Sequence, residues 1–348
     1  MLSEIRIVVL CPKPITPFPS SFVACINELK SLSTILPLQN GIYGDSLLNV
    51  SIYESMREYP LLKILDFKRV GFIDFDDYFL LEISPVDGSY VKAALEDFGY
   101  EPVDERSEKE AQAHVNFVLS ENLKFELNNL LLCANIAHPG NISTLEGNVF
   151  IDGEIYENVD GFYAFDMKCA IEEANKLKWP SFTSISVSEV IEWQKRTNAF
   201  DGGISTKQVG RAIAALSNTI EDPQNVGYSA LRIAWCILGL EALYCKEKSG
   251  LREQLSTNTE LLLGAKEENK KVFGKLYDFR SQLLHGSINV PLRYTISDDA
   301  PKFNKFVSNI TPYENLALAI LLATLQKMIK NNWVELNFPR SLKGINIP

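Results

Sequence analysis

Two periodicities divide this 348-residue chain. Up to about residue 184 the apolar positions fall in short runs rich in β-branched and aromatic side chains. "IRIVVL" (5–10), "LLNVSIY" (47–53), "RVGFIDF" (69–75) and "YFLLEIS" (78–84) predict strands. "VNFVLSENLKFELNNLLLCANIA" (115–137) predicts a helix that stops at His138-Pro139-Gly140, and "VFIDGEIY" (149–156) a hairpin turning at Asp152-Gly153. Beyond about residue 185 the period changes to that of a helix, with helices expected near 186–197, 205–218, 226–247, 250–264, 267–285 and 312–331. The last would start with Thr311 as N-cap, Pro312 at the first helical position and Glu314 closing a capping box. The fifth would end on Gly286 as a left-handed cap, and 287–309 would be a long loop. The expectation is an α+β protein: a mixed α/β domain over 1–184, an all-α domain over 185–335 and a tail over 336–348. No internal repeat is visible.

Charge sharpens the division. The net charge is −10. Residues 1–184 hold 14 Lys and Arg against 28 Asp and Glu, a net of −14; residues 185–348 hold 20 against 16, a net of +4. An acidic first half argues against broad nucleic-acid binding there. The six cysteines form no C-x-x-C pair and sit in apolar surroundings, which suits small buried hydrophobes in a reducing compartment and makes a zinc site unexpected. The first residues read as a strand and not as a signal peptide. The longest apolar runs, 233–244 and 316–325, are shorter than the roughly 18 residues that span a bilayer. A cytoplasmic protein without a membrane partner is expected.

The candidate chemistry lies in "YDFRSQLLHG" (277–286), which holds one of only three histidines. Val272, Leu276, Phe279 and Leu283 make a core-facing stripe, with Arg280 and His285 flanking it. Five residues apart on a helix, the two stand about 140° apart around the axis and about 7.5 Å apart along it. They share no narrow face, but arginine is long, and a second copy of the helix could complete a site. A histidine moves a proton near neutral pH, and a guanidinium holds a phosphate and stabilises charge developing on it. That suits RNA cleavage. A plainer reading makes them surface residues or a capping contact at a helix end.

"LYDFRSQLLHG" (276–286), preceded by "ALRIAWCILGLEALYCKEKSGLREQLSTNTELLL" (230–263) and "STKQVGRAIAALSN" (205–218), resembles the ApeA-like branch of the HEPN superfamily. The resemblance covers roughly 185–332. It implies an all-α helical bundle, typically dimeric, and a metal-independent ribonuclease of the kind found in toxin and anti-phage abortive-infection systems. The family's R-x4–6-H motif falls on Arg280 and His285, which it implies are catalytic, with no cofactor. Many active members carry Asn, Asp or His after the arginine; here it is Ser281. A non-catalytic HEPN scaffold that binds a protein or nucleotide partner is the other possibility. The N-terminal half would sense a phage or host trigger, select RNA or restrain the nuclease.

Glu241, Ser281, Asp278 and Arg252 are expected to support the motif. Glu241 interrupts an apolar helix and needs a partner; it would orient Arg280 or bond Arg252, as catalytic support or equally as a purely structural ion pair. Asp278 lies in the motif helix, by default exposed. "DFDD" (74–77) fits a solvated turn better than a cation site, and no metal site is expected. His114 and His138 show no partner in the sequence. The apolar run 316–325 exceeds what one side of a small bundle needs, which suggests a homodimer through the helical domain.

Overall fold

The computed structural model describes residues 4–14, 20–32, 36–37, 47–55, 57, 59–60, 75–85, 105–201, 203–220, 231–264, 267–289 and 301–338. It is a mixed α+β structure whose six-stranded sheet is antiparallel. It divides into two compact units, one of residues 1–169, 184–203 and 220–226, the other of 170–183, 204–219 and 227–348. The chain therefore crosses between units more than once, and no single cut at 184/185 separates them.

The first unit is built on a six-stranded sheet in the order β2-β3-β4-β1-β5-β6. Its strands are β1 (Ile5–Pro12), β2 (Leu36–Pro37), β3 (Leu47–Tyr53), β4 (Tyr78–Pro85), β5 (Glu146–Ile151) and β6 (Glu154–Asp160). The expected strands at 5–10, 47–53 and 78–84 are present; residues 69–74 of the fourth lie outside the described residues. β1 is central, pairing with β4 (Val9 opposite Leu81) and β5 (Ile7 opposite Val149). A strand covered on both faces needs apolar residues at every position rather than every second one. Accordingly Ile7, Val8, Val9, Leu10 and Cys11 are all buried. Val8 and Leu10 meet Leu80, Phe150 and Tyr59 on one face. On the other, Phe79 meets Phe22 of helix α1 (Ser20–Ser31) edge to face, with ring centroids 6.0 Å apart. The β5–β6 hairpin turns at Asp152 and Gly153, both at positive φ (52° and 85°), as an Asp-Gly turn of this kind requires.

Helix α2 (Glu105–Ala137) begins ten residues before the predicted start. It stops as expected, with Gly140 at φ 74°. Helix α3 (Phe165–Leu177) crosses the boundary between the units. Helix α4 (Val187–Thr197) packs against α2 in the first unit, although its period grouped it with the helical half. Its N-terminus is a full capping box: Glu189 N–H donates to Ser186 Oγ (3.1 Å), and Ser186 N–H donates to Glu189 Oε2 (2.7 Å). Trp193 is fully buried, and the Cys133 thiol of α2 donates to Gln194 Oε1 at 3.3 Å. His138 finds a partner the sequence did not show: Nε2 lies 3.2 Å from Glu28 Oε1. Asp76 and Asp77 sit on a single 3-10 turn, Phe75–Asp77, leading into β4.

The second unit is helical: α5 (Gln208–Ser217), α6 (Leu231–Tyr244), α7 (Leu251–Leu263), α8 (Glu267–Leu284) and α9 (Pro301–Lys330). Four of these match the expected helices to within a few residues, apart from 226–230, which lie outside the described residues. Gly239 lets three helices meet: a Cβ there would stand 3.1 Å from both Ala215 of α5 and Leu321 of α9.

The fifth helix departs from expectation. It starts at Pro301, so 301–309 is helix and not loop, and Pro312 lies inside it. Thr311 is no N-cap; its hydroxyl donates to Val307 O at 2.9 Å, one turn back. Glu314 is a buried residue and closes no capping box. The physical reason is a stripe the loop reading passed over. Phe303, Phe306, Val307 and Ile310 follow i, i+3, i+4, i+7 spacing and are all half-buried, with Phe306 6.4 Å from the Phe279 ring. Their burial offsets the roughly 3 kcal/mol that an interior proline costs.

The length of α9 has a second consequence. By length and composition it could cross a membrane, which neither apolar run could alone; 56% of its most apolar window is buried within the chain. Leu316–Leu325 are all buried inside one copy. The surplus apolar surface that suggested a dimer is therefore already covered, and that reason for a shared interface falls away.

Glu126 on α2 generates a prediction about stability. Burial pushes its carboxyl up to about 8, against a hydrogen bond from Asn129 that lowers it. Between the ordinary value of 4.5 and about 8 only the folded state holds the proton, so stability falls as pH rises through that window. The loss is at most about 1.4 kcal/mol per pH unit. Glu126→Gln should melt like the wild type near pH 4 and above it at pH 8. Parallel melting curves for the two proteins across that range would show that Glu126 does not titrate this way.

Candidate active site at the end of the motif helix

The described part of the motif helix α8 runs to Leu284 and closes in a Schellman turn. Gly286 has φ 65°, its N–H donates to Leu283 O (3.2 Å), and Ser287 N–H donates to Gln282 O (2.9 Å). The expected glycine cap is present, and it decides where the histidine goes. His285 is the last residue before the left-handed position, bonded back through its N–H to Ser281 O (3.0 Å), with its side chain exposed.

The core face of α8 is carried by Phe273, Leu276 and Phe279, all buried; Leu283 is half-buried, and the Val272 side chain lies outside the described residues. Trp179 stands edge to face against Phe273 (6.4 Å), while its indole N–H donates to Leu263 O at the end of α7 (3.2 Å).

Arg280 turns away from the histidine toward α6. Its Nη2 donates to Glu241 Oε2 at 3.4 Å, and the two side chains are 22% and 14% exposed. The sequence left Glu241 with two possible partners; it takes Arg280 and not Arg252. The pair is loosely satisfied, because Glu241 Oε1 and Arg280 Nε are buried without a hydrogen-bond partner among the described residues. Burial raises the Glu241 carboxyl above its ordinary value, and the Arg280 charge opposes that. Burial, and then the Glu241 charge, push the neighbouring Cys245 thiol up to about 12. The Arg280 guanidinium also lies 5.8 Å from the centroid of the Tyr277 ring. Tyr277 is a member of the site that sequence reasoning missed, although a tyrosine three residues before an arginine on a helix is a recognisable neighbour.

Arg252 instead reaches Asp278, Nη1 to Oδ1 3.7 Å, with both side chains more than half exposed. Ser281 is half-buried on the same helix. Four of the six candidate residues thus form two pairs, Arg280 with Glu241 and Arg252 with Asp278, while Ser281 and His285 belong to neither, and no hydrogen bond joins Arg280 to His285 among the described residues. All six cysteines are free, four of them buried. Among the described residues no group of three or more His, Cys, Asp or Glu stands together to hold a metal ion. A cavity of about 280 Å³ in the first unit, lined by residues including Lys13, Phe22, Ile52 and Phe79, contains none of the motif residues. Comparison with protein families, with characterised proteins and with solved structures gives no match to this chain.

The Glu241–Arg280 pair makes a prediction. Arg280→Ala leaves a mostly buried carboxylate unanswered and should cost about 1–3 kcal/mol at pH 8. The penalty should shrink toward pH 5, because the fold raises the Glu241 carboxyl and losing Arg280 raises it further, so it takes up a proton. With Glu241→Gln in place the cost should fall. Denaturant midpoints for the four combinations would check this; additive effects would mean that the two residues do not interact.

Proposed function

We propose that the second unit is a metal-independent HEPN-type endoribonuclease of the ApeA-like branch, acting as a toxin or anti-phage effector. The observation that carries this reading is the end of α8, where the Schellman turn leaves His285 open to solvent one residue before Gly286. The resemblance over roughly 185–332 supplies the reaction class. His285 moves the proton, as base on the 2′-hydroxyl or as acid on the leaving oxygen. Arg280 stabilises charge developing on the phosphate. The expected upstream product carries a 2′,3′-cyclic phosphate or the 3′-phosphate formed from it.

The two groups face about 140° apart on one helix. Cleavage therefore calls for the arginine to swing from Glu241, or for a second chain to bring its own copy. Homodimerisation is part of the proposal, and Leu231 and Leu238, seven residues apart on α6 and both exposed, offer apolar surface for it. A second reading, a scaffold that keeps the motif without cutting RNA, is favoured by one observation. Arg280 already has a structural role in answering Glu241 and stacking by Tyr277.

Purified protein incubated with total cellular RNA, wild type beside His285→Ala, tests the proposal. Side-chain removal at an exposed cap residue should leave the fold intact and lower the cleavage rate by about 10²–10⁴. Chelators should have no effect; activity abolished by EDTA and restored by magnesium would overturn the mechanism. If a site is shared between chains, mixing Arg280→Ala with His285→Ala should recover partial activity. Undiminished cleavage by folded His285→Ala would reject the ribonuclease and leave the scaffold.

A further inference from the structure

The pairing of Arg252 goes beyond the motif. Helical spacing places Gly274, Asp278, Ser281 and His285 at i, i+4, i+7 and i+11, so they form one stripe on α8. Arg280 is not part of it. Arg252 of α7 reaches that stripe at the end remote from the histidine. Its guanidinium lies directly over the helix backbone: a Cβ on Gly274 would stand 2.3 Å from Nη2 and 3.1 Å from Cζ. Glycine in a helix interior costs about 1 kcal/mol relative to alanine, and here it makes room for an arginine head. That head is held loosely. Its only charged contact among the described residues is Asp278 at 3.7 Å, beyond hydrogen-bonding distance, and both side chains are mostly exposed. A surface pair of this kind is worth little and yields to a better anion. A phosphate, which accepts two parallel N–H bonds from a guanidinium, is such an anion.

The geometry points to Arg252 as a second phosphate-binding residue, lying on the same helix face as His285 and holding the RNA backbone a few nucleotides from the bond that is cut. This rests on the ribonuclease reading above. Between Gly274 and His285 the helix rises about 16 Å, too far for one phosphate to meet both, so the two residues contact different nucleotides. Arg252 takes no part in proton transfer; it contributes binding to the strand away from the bond that His285 acts on.

Binding of a fluorescein-labelled 2′-O-methyl oligoribonucleotide, which lacks the attacking hydroxyl and is not cut, tests this with the full chain by fluorescence anisotropy. Arg252→Ala should weaken binding roughly tenfold, the loss of one charge-assisted contact. The slope of log affinity against log salt should become shallower by about 0.7, one single-strand phosphate contact. Arg252→Lys should keep the slope while recovering part of the affinity. Gly274→Ala is an independent variant: it should leave the helix as stable or more so, yet weaken binding because the methyl displaces the guanidinium. On a cleavable strand Arg252→Ala should raise KM and change kcat little. Equal affinity and equal salt slope in wild type and Arg252→Ala would overturn the inference, as would a wild type that does not bind the oligonucleotide. If His285→Ala abolishes cleavage while the Arg252 variants bind as the wild type does, only this inference falls. If the wild type neither binds nor cuts RNA, the ribonuclease reading falls with it.

Discussion

The half of helix α9 from Glu314 onward must be buried on nearly every side, and the second unit is organised by that requirement. From Glu314 to Gln326 every residue is buried. A helix apolar all round cannot lie at a surface, so neighbours have to wrap it. α5, α6, α7 and α8 all pack against it. Two polar groups of this core find partners where they stand: the Thr324 hydroxyl meets Tyr244 OH at 2.6 Å, and Gln326 Oε1 accepts from the Thr183 N–H at 2.9 Å. Lys327 reaches across to Leu262 O at the end of α7 (2.5 Å). With α9 and α7 tied in this way, Phe279 and Phe306 fix the rotation of α8. That rotation sends Arg280 toward α6 and leaves His285 exposed.

The sequence was most legible where local chemistry and burial agree. Asp152-Gly153 and Gly286 each specify a local geometry whatever surrounds them, and each is found as read. β1 was legible because a strand buried on both faces is apolar throughout. Reading failed where packing overrides a local signal. Thr311-Pro312 with Glu314 has every mark of a helix start, but the four apolar residues before it form a helical stripe that extends the helix by about three turns. α4 illustrates a different limit. Its period is plainly helical, yet period says nothing about which core receives it, and the buried Trp193 joins the first unit.

At the site, residue types were legible and pairings were not. A glutamate in an apolar helix announces that it has a partner; the choice between Arg252 and Arg280 depends on the rotation of α8, which no single helix encodes. Gly274 offered a signal that went unused. An interior helical glycine implies a close approach, and the approaching group is the guanidinium of Arg252.

The Glu241–Arg280 pair links structure to the proposed chemistry through one constraint. A guanidinium bonded to a mostly buried carboxylate is partly neutralised and is a weaker ligand for phosphate. Freed from Glu241 it would serve a phosphate better, but it would leave behind a carboxylate that desolvation already penalises. Glu241 has a way out, since its carboxyl is raised in the fold and would rise further once Arg280 left. Movement of Arg280 to a phosphate is then tied to proton uptake at Glu241. A chain using Arg280 in this way engages its substrate more readily as pH falls, because a proton on Glu241 replaces the charge that Arg280 withdraws. A scaffold that keeps the same pair for packing alone has no such dependence.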